Sequence, residues 1–277
     1  MDDVLHDRRI DAVNVPELTR RHEGKQVRYS PVTIPPEEYA LMIKEYKEAI
    51  VNVIAPRLPA SEFLRRGRRI LRDYGIPNLV VVGKERHGDD LPGPGVLEAL
   101  EALSLEKGQH SALGGICIFD RASAHGGGYG STRGRLTEPM RVAAKADAGC
   151  DFVTSQITFD AGPALGFLTS YQRLCEASGA KPATVFISLA TIPSPSILAL
   201  IESLDVVVPR DVRAALGRGP GMGRASVDIS ARVFLEILAG AEKQGVGIPL
   251  GLQVEQVGVN SGALALELLD QVAPSFA

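Results

Sequence analysis

The chain has 277 residues, of which 45% are hydrophobic and 23% are charged, and its formal net charge is −3. A chain of this length can form two domains, but a single α/β barrel also commonly reaches it. The mildly acidic balance argues against a polyanion-binding protein, so we predict no nucleic-acid partner. No stretch approaches the length of about 18 apolar residues that a membrane span requires, and the first residues lack a signal-peptide core. We therefore predict a cytoplasmic protein that does not associate with membranes.

The three cysteines are Cys117, Cys150 and Cys175, and none of them belongs to a C-x-x-C pair. An odd number of cysteines in apolar surroundings is typical of buried, reduced thiols. The sequence also contains no H-E-x-x-H motif and no Ser-His-Asp arrangement. We therefore predict neither a disulfide framework nor a bound metal.

Short β-rich runs alternate with helix-like stretches along the whole chain. The predicted strands cover residues 10–15, 49–55, 78–83, 113–119, 151–157, 183–189 and 248–254. The main predicted helices cover residues 35–50, 59–75, 95–108, 138–149, 162–179 and 230–245. Nearly continuous apolar strands between helices indicate a parallel sheet. With no nucleotide-binding glycine fingerprint after the first strand, the pattern favours one α/β domain over residues 1–277, a (β/α) barrel of the TIM type. The run "LDVVVP" at 204–209 is either an extra strand or a loop.

Polar side chains stand where several predicted strands end. In a parallel barrel, functional residues cluster at the carboxyl ends of the strands and in the loops that follow them. The residues at such positions are Glu17, Asn52, Arg57, Lys84, Glu85, His87, Asp120, Arg121, Gln156, Asp160 and Glu255. These residues are the candidates for a ligand site.

The stretch "DFVTSQITFDA" (151–161) has an amide, Gln156, inside an otherwise apolar strand. A primary amide offers two donors and one acceptor and is costly to bury without partners, so it is well suited to binding the edge of a heterocycle. The alternative is a structural glutamine that bonds the backbone at the rim of the barrel. Composition does not decide between them.

Two loops and one helix carry further candidate residues. Lys84 leaves the third strand directly and could face an anion, although the charged segment 83–90 could equally be a solvated loop. The glycine-rich segment "DRASAHGGGYGSTRGR" (120–135), which contains His125, is either an active-site loop or a plain excursion. The basic segment "RRGRRILR" (65–72) has apolar residues at helical spacing, which favours a solvated helix face over a nucleic-acid site.

At Gln156 the sequence resembles the methylenetetrahydrofolate reductases. The segment "AAKADAGCDFVTSQITFDAGPALGFL" (143–168) is similar to the family's helix ending K-x-D-A-G-A and its strand ending T-Q-x-x-F-D. Weaker similarity extends over "PASEFLRRGRRILRDYGIPNLVVVGKE", "LDVVVPRDV" and "GAEKQGVGIPLGLQVE". The specific part of the resemblance is the segment around Gln156.

The resemblance implies an eight-stranded barrel that reduces methylene-tetrahydrofolate to methyl-tetrahydrofolate, usually with a flavin relaying hydride from NADH or NADPH. It implies that Gln156 hydrogen-bonds the pterin and that Phe159 helps to form the folate pocket. It also places Lys145 near a flavin phosphate, and His125 is a second candidate for cofactor contact.

Three features depart from the family pattern. The family's R-G-D, whose Arg and Asp contact the flavin, is replaced by Val82, Gly83 and Lys84. A cation in place of a carboxylate changes the charge beside a flavin ring, so we expect weak or absent FAD binding. In this respect the chain resembles variants of the family that lack flavin and take hydride directly from the nicotinamide. The family's first strand, with its proton-donating glutamate, has no counterpart here, so the expected barrel lacks that strand. The tyrosine-proline-glutamate pattern after the fifth strand is replaced by "IFDRASAHGGG".

The sequence therefore predicts a folate-binding oxidoreductase that moves hydride, directly or through FAD, between NAD(P)H and the one-carbon unit of tetrahydrofolate. Two alternatives stay open: a tetrahydrofolate-dependent methyltransferase or demethylase on the same barrel, and a non-catalytic folate-binding or partner subunit. A homo-oligomer is also compatible with the sequence. The candidate acids are Glu17, Asp120 and Glu255, and the candidate substrate contacts are Gln156, Phe159, Asn52, Lys84 and Arg121.

Overall fold

The computed structural model describes residues 2–17, 34–83, 91–121, 136–217, 219–257 and 261–276. Its seven strands form one sheet in which neighbours in space are also neighbours in sequence. The strands are β1 (Ala12–Val15), β2 (Glu48–Ile54), β3 (Asn78–Val82), β4 (Ala112–Cys117), β5 (Phe152–Ser155), β6 (Thr184–Ala190) and β7 (Leu250–Glu255). Each coincides with one of the seven predicted strands.

Helices precede the first strand, lie between strands and follow the last one. They are α1 (Asp2–His6), α2 (Pro36–Ile43), α3 (Ala60–Arg68), α4 (Val96–Ser104), α5 (Glu138–Asp147), α6 (Ala161–Ser178), α7 (Pro195–Ser203), α8 (Arg210–Leu216), α9 (Met222–Lys243) and α10 (Gly262–Val272). Short 3-10 turns cover Ala55–Arg57 and Ala273–Phe276, and a π-helical turn, Arg69–Asp73, continues α3. The run 204–209 is a turn followed by irregular chain, so the loop alternative for this segment is correct.

The strand pairs are parallel. β1 pairs with β2, β2 with β3 and β3 with β4, and later in the chain β5 pairs with β6 and β6 with β7. Parallel strands in sequential order, separated by helices, are the topology of (β/α) barrels. The predicted α/β class is therefore confirmed, and the seven strands are consistent with a TIM-barrel-like fold that lacks one strand.

The chain divides into two compact units. The first contains Asp2–Gly115 and Ala148–Asp151, and the second contains Ile116–Asp147 and Phe152–Ala277. In the first unit, α2 packs on β1 and β2, and α4 packs on β3. In the second unit, α9 packs against β6, α6 and α10, and α5 packs against α6. Whether 1–277 behaves as a single domain stays a prediction.

Along β6, all residues of one face are buried, whereas the other face is half-buried at Thr184 and Phe186 and buried at Ser188 and Ala190. On β6, Val185, Ile187 and Leu189 are fully buried, on the side where α9 supplies apolar cover. Because successive side chains point to opposite faces of a strand, Phe186 lies on the other face, where it is half-buried. This second face carries the candidate site.

The arginine-rich helix α3 and its π-helical extension have a structural role in the first unit. Arg66 donates two hydrogen bonds to Glu37, of 3.0 and 2.7 Å, and a third of 3.1 Å to Glu17. Arg68 and Arg72 both form ion pairs with Glu106. Arg66, Arg68 and Arg72 are therefore paired with carboxylates of the same unit, which supports the helix-face interpretation over a nucleic-acid site.

The three cysteine thiols are buried, as predicted. Cys117 lies in β4, Cys150 precedes β5 and Cys175 lies in α6. All three lie in the described part of the chain, and none of them forms a disulfide. Burial raises the pKa of the Cys175 thiol, which disfavours the reactive thiolate.

Candidate functional site

The chain leaving β5 is bound to β6 by two hydrogen bonds. The backbone N–H of Ser188 donates to the Ser155 hydroxyl at 2.8 Å, and the N–H of Thr158 donates to the Ser188 carbonyl at 3.0 Å. A third bond joins the Gln156 N–H to the carbonyl of Cys117 at 2.8 Å. Together these bonds fix Gln156 beside the carboxyl-terminal half of β6.

The side chain of Gln156 is half-buried and has one protein partner. Its Nε2 donates to the backbone carbonyl of Leu204 at 2.8 Å. Leu204 belongs to the segment between β6 and α9, which also contains α7 and α8. One N–H of the Gln156 side chain thus bonds the backbone, as the structural alternative predicts. The carbonyl oxygen Oε1 has no hydrogen-bond partner among the residues that the structure describes, and it is accessible to water or to a ligand.

Two polar side chains of β7 lie in register with the end of β6. Gln253 is paired with Ser188, and Glu255 is paired with Ala190. The Gln253 amide Nε2 donates to Oε1 of Glu255. Burial raises the pKa of Glu255 above its ordinary value, and the hydrogen bond from Gln253 opposes that shift without cancelling it. Glu255 therefore has a higher protonated fraction than an exposed glutamate, and a protonated carboxyl can donate a proton.

The hydroxyl of Ser188 has no hydrogen-bond partner in the described part of the chain, although the residue is 0% exposed. Ser188 lies on the same face of the sheet as Gln253, because paired residues of parallel strands point to the same side. Buried hydroxyls are normally hydrogen-bonded, so an unpaired one calls for a water or a ligand. Its position beside Gln253 is consistent with a ligand group there.

An aromatic surface lies below this polar row, toward the amino ends of the strands. Phe186 is paired with Thr154 of β5 and Gly251 of β7. The Phe186 ring covers Gly251 so closely that a Cβ on that glycine would lie 2.5 Å from the ring. Phe152 meets the same ring edge-on, with centroids 5.6 Å apart. The half-buried Phe186 ring therefore forms an apolar surface. The ring fits there because Gly251 has no side chain to collide with it.

We call Gln156, Phe186, Ser188, Gln253 and Glu255 the strand-tip cluster. It combines an aromatic surface, an amide oxygen, a buried hydroxyl and a carboxyl group with a raised pKa. An apolar surface with a few convergent polar groups is the usual composition of a small-molecule site. Perturbed carboxyl groups are enriched at functional sites. The cluster can hold a flat heterocycle that has both donors and acceptors on its edge.

Asp120 and Asp160 form a second group in the same unit. Asp120 follows β4, and burial raises its pKa, with a further contribution in the same direction from the charge of Asp160. Asp160 caps α6 by accepting a hydrogen bond from the Gly162 N–H at 2.8 Å. Asp120 thus has an environment suited to an acid, whereas Asp160 has a structural function.

Three other predicted contacts of this unit have structural partners or are buried. Arg121 is half-exposed, and its Nε lies 3.2 Å from Oε2 of the buried Glu138. The ammonium group of Lys145 donates to the carbonyl of Ile116 in β4. Phe159 is 2% exposed, so in this conformation its ring does not line an open surface. The predicted ligand contacts of all three stay predictions.

Three predicted residues, Glu17, Asn52 and Arg57, lie in the other unit. Glu17 accepts hydrogen bonds from the Ile54 N–H at 2.7 Å and from Arg66 at 3.1 Å, and Arg57 lies 3.7 Å away. Asn52 lies two residues before the end of β2, and its buried Oδ1 has no hydrogen-bond partner among the described residues. Both carboxylate oxygens of Glu17 are thus hydrogen-bonded. Glu17 therefore links the segment after β1 to the end of β2 and to α3.

Lys84, Glu85, His87 and His125 lie outside the described residues. Within residues 2–17, 34–83, 91–121, 136–217, 219–257 and 261–276, no group of three His, Cys, Asp or Glu side chains is arranged to hold a metal ion. Among the helices of those same ranges, none combines the length and the hydrophobicity that crossing a membrane requires.

A shallow groove of about 480 Å³ lies on the surface of α9, where Gln271 of α10 closes one side. Its lining includes Asp228, Arg232 and Leu235. Arg232 faces Glu236 one turn further along α9, and Gln271 donates to Asp228. The polar groups around the groove are thus paired with each other. We therefore place the candidate site at the strand-tip cluster.

Three members of the strand-tip cluster were not among the predicted site residues: Phe186, Ser188 and Gln253. A signal for two of them exists in the sequence. Ser188 and Gln253 interrupt apolar strands near their carboxyl ends, as Gln156 does. Phe186 has no such signal, because an aromatic residue inside a β-run is usual in a core.

No protein-family model and no curated protein sequence matches the chain. Its fold is similar to that of a solved protein from Clostridium thermocellum, with a TM-score of 0.70. The two sequences are 17% identical, and the match covers 96% of this chain and 84% of that one. The Clostridium thermocellum protein, itself uncharacterized, binds two copies of 5-methyl-5,6,7,8-tetrahydrofolic acid. At this identity, the similarity establishes the α/β fold.

Proposed function

We propose that this protein binds a reduced folate, with the pterin ring held at the strand-tip cluster. The observation that carries the proposal is the location of Gln156. The sequence resemblance marks Gln156 as a pterin contact. In the fold Gln156 directly follows β5, which pairs with β6, the strand of Phe186, and β6 pairs on its other side with β7, which ends at the buried Glu255. The fold shared with a protein that binds 5-methyltetrahydrofolate supports the same conclusion.

The chemistry of the cluster fits the edge of a pterin. A pterin is flat, so one face can lie on the Phe186 ring. Its ring N–H and exocyclic amino groups are donors, for which Oε1 of Gln156 is an available acceptor. Its carbonyl and ring nitrogens are acceptors, for which the Ser188 hydroxyl is a donor. The buried Ser188 hydroxyl, which has no hydrogen-bond partner in the described part of the free protein, thereby gains one.

We further propose that the bound folate is a substrate for hydride transfer. In the reductive direction, a hydride from NAD(P)H adds to the methylene carbon, and a proton is delivered to N10, whose bond to that carbon breaks. Glu255 is the proposed proton donor, because burial raises its pKa toward the range in which a carboxyl group is an effective acid. Glu17 is less suited to this step, because Ile54 and Arg66 occupy both of its oxygens.

We propose direct transfer from the nicotinamide, without a flavin. Two observations support this. Lys84 replaces the carboxylate expected beside a flavin ring, and Lys145, the expected phosphate contact, donates to the carbonyl of Ile116 in β4. FAD released in stoichiometric amounts when the purified protein is denatured would contradict direct transfer.

An assay of NAD(P)H oxidation with 5,10-methylene-tetrahydrofolate tests the proposed reaction. We expect turnover by the wild type, and we expect Glu255→Gln to lower kcat by about 10²- to 10⁴-fold, the usual contribution of a general acid. The affinity for 5-methyltetrahydrofolate should change little, because glutamine keeps the shape and hydrogen-bonding capacity of the protonated acid. Asp120→Asn is the matched variant at the other candidate acid, and a larger loss there would transfer the role to Asp120. Folate binding without turnover by the wild type would refute the reductase assignment and favour a methyltransferase or a non-catalytic subunit.

A further inference from the structure

Asp205 has a left-handed backbone conformation, with φ of 60°, and it is the one non-glycine residue in the described part of the chain with a positive φ. It stands directly after the C-cap of α7. The N–H of Leu204 donates to the carbonyl of Ile201, and the N–H of Asp205 donates to the carbonyl of Glu202, each at 3.1 Å. Helices often end in a left-handed residue, but glycine is the usual choice, because a side chain makes this conformation unfavourable.

The conformation of Asp205 affects Gln156 through one peptide group. The carbonyl of Leu204 belongs to the peptide that joins Leu204 to Asp205. Its direction is therefore set by the backbone angles on either side of that peptide. With Leu204 at φ −89° and ψ 15° and Asp205 at φ 60°, this carbonyl accepts the hydrogen bond from Gln156 Nε2 at 2.8 Å.

That hydrogen bond decides which end of the Gln156 amide is presented to a ligand. If the amide were rotated by 180°, Oε1 would face the Leu204 carbonyl, so that two acceptors would be in contact without a hydrogen between them. The observed orientation avoids this repulsion and directs Oε1 away from Leu204. Gln156 is then held as an acceptor before any ligand arrives, and a pre-oriented group loses less entropy on binding.

We propose that Asp205 is a positioning residue for the ligand site. Acting through the Leu204 carbonyl, it fixes Gln156 as a hydrogen-bond acceptor and so selects ligands that present an N–H donor at this point. The inference rests on the proposed function, since it assumes that Gln156 contacts the bound heterocycle. Asp205 would thus control specificity without contacting the ligand. The ligand group that meets Gln156 would be a ring N–H or an exocyclic amino group.

The side chain of Asp205 is exposed and forms no hydrogen bond or ion pair with the described residues. Substitutions at this position therefore act mainly through the backbone. Asp205→Gly and Asp205→Asn both tolerate a positive φ, whereas Asp205→Val strongly disfavours it, because a β-branched residue is a genuine outlier there. Leu204→Ala is a matched control, since it removes an exposed side chain and keeps the carbonyl.

The test is calorimetric titration of these variants with 5-methyltetrahydrofolate. We expect Asp205→Val to weaken binding by roughly 5- to 150-fold, the range for one buried hydrogen bond converted to affinity. Asp205→Gly, Asp205→Asn and Leu204→Ala should stay within about twofold of the wild type, since they retain the hydrogen bond. In the double variant Gln156→Ala/Asp205→Val, the effect of valine should disappear, because the residue through which it acts is gone.

Nuclear magnetic resonance of the side-chain amides supplies a readout that a purely structural effect would not give. In the free wild type, the Gln156 NH₂ should exchange slowly with solvent at the hydrogen bonded to Leu204. This protection should be lost in Asp205→Val and kept in Asp205→Gly. If Asp205→Val does not fold, Asp205→Ala replaces it, with a smaller expected change in both measurements.

The outcomes distinguish failure of the proposed folate binding from failure of the role assigned to Asp205. If the wild type does not bind 5-methyltetrahydrofolate, the proposed function fails, but the amide exchange measurement still tests whether Asp205 orients Gln156. If the wild type binds and Gln156→Ala weakens binding, equal affinities for Asp205→Val and Asp205→Gly would overturn the inference alone. Additive effects in the double variant would overturn it as well.

Discussion

Gln253 and Glu255 lie two residues apart on β7, and the side-chain amide of Gln253 donates a hydrogen bond to the carboxyl group of Glu255. Both side chains project from the same face of the strand, because that face repeats every second residue. The pKa of Glu255 is nevertheless raised, since burial outweighs the amide's preference for the carboxylate. An acid with a raised pKa is thus held at the carboxyl end of a parallel strand.

The raised pKa of Glu255 predicts how stability depends on pH. A carboxyl group whose pKa is higher in the folded state contributes stability below its ordinary value of 4.5, and this contribution is lost as pH rises through the folded-state pKa. Each unit of pKa elevation corresponds to about 1.4 kcal/mol. We therefore expect Glu255→Gln to raise the melting temperature at pH 8 relative to the wild type and to change it little at pH 4. Thermal melts across this range measure the difference.

Glu242→Gln is the control for this experiment. Glu242 is exposed near the end of α9, so the same substitution should leave the pH dependence of the wild type intact. A difference between Glu255→Gln and the wild type that stays constant from pH 4 to pH 8 would contradict the assignment of a raised pKa.

Arg66 links two buried carboxylates of the first unit, and its removal should be strongly destabilising. The side chains of Glu17 and Glu37 are 3% and 6% exposed. Loss of one partner from a buried ion pair typically costs about 3–5 kcal/mol, because the remaining charge is left uncompensated. We expect Arg66→Met to lower the free energy of unfolding by about 3 kcal/mol, the lower end of this range. Arg57 and Arg69 remain 3.7 Å from Glu17 and Glu37, respectively, and partly compensate their charges. Urea unfolding measures this change.

Arg65→Met is the matched control, because Arg65 is exposed on the same helix and should be nearly neutral. The cost of Arg66→Met should also depend on pH. Burial acts to raise the pKa of Glu37, but Arg66 outweighs it and holds the pKa below the ordinary value of 4.5. The stability that this pair contributes is present above pH 4.5 and is lost as pH falls below it. Equal costs at pH 3.5 and pH 7 would contradict this account.

Gly251 permits the close contact of β7 with the Phe186 ring. A Cβ at this position would lie 2.5 Å from two ring atoms, so the ring must move in Gly251→Ala. Overpacking of this kind costs about 1–3 kcal/mol, and displacement of the ring should also weaken folate binding. Chemical denaturation and folate titration of the variant measure both effects.

Gly166→Ala provides the contrasting case. Gly166 lies inside α6, and a Cβ there would have no heavy atom within 4 Å. Alanine should therefore stabilise the helix by about 0.5–1 kcal/mol. If the two alanine variants have the same effect on stability, the contact between Gly251 and Phe186 is not what the structure indicates.

The strands could be predicted from sequence because their signal is local. Continuous β-branched and apolar runs such as "NLVVVG" and "ATVFISL" predict buried parallel strands, and β3 and β6 occupy those runs. The segment 204–209 has similar composition but follows α7 directly and stays irregular. Its valines alternate between buried and exposed, with Val206 and Val208 buried. Apolar composition alone does not separate a strand from a loop that covers a core.

The site could be predicted in part. Gln156 and Glu255 were identified because both are polar residues at strand ends, and the fold places β5 and β7 on either side of β6. The contact between Gln156 and Leu204 spans 48 residues and involves a backbone carbonyl, which has no sequence signature. The hydrogen bond from Arg66 to Glu17 likewise depends on long-range packing, which has no sequence signature.

Folate titration of the wild type and Gln156→Ala, with a thermal melt of each, tests the central claim most directly. If Gln156 contacts the pterin, its removal leaves a ligand donor unpaired at a cost of about 1–3 kcal/mol. We therefore expect 5-methyltetrahydrofolate to bind the wild type, and its affinity for Gln156→Ala to fall by roughly 5- to 150-fold with little change in melting temperature. No binding by the wild type, or unchanged affinity in a stably folded Gln156→Ala, would contradict the account.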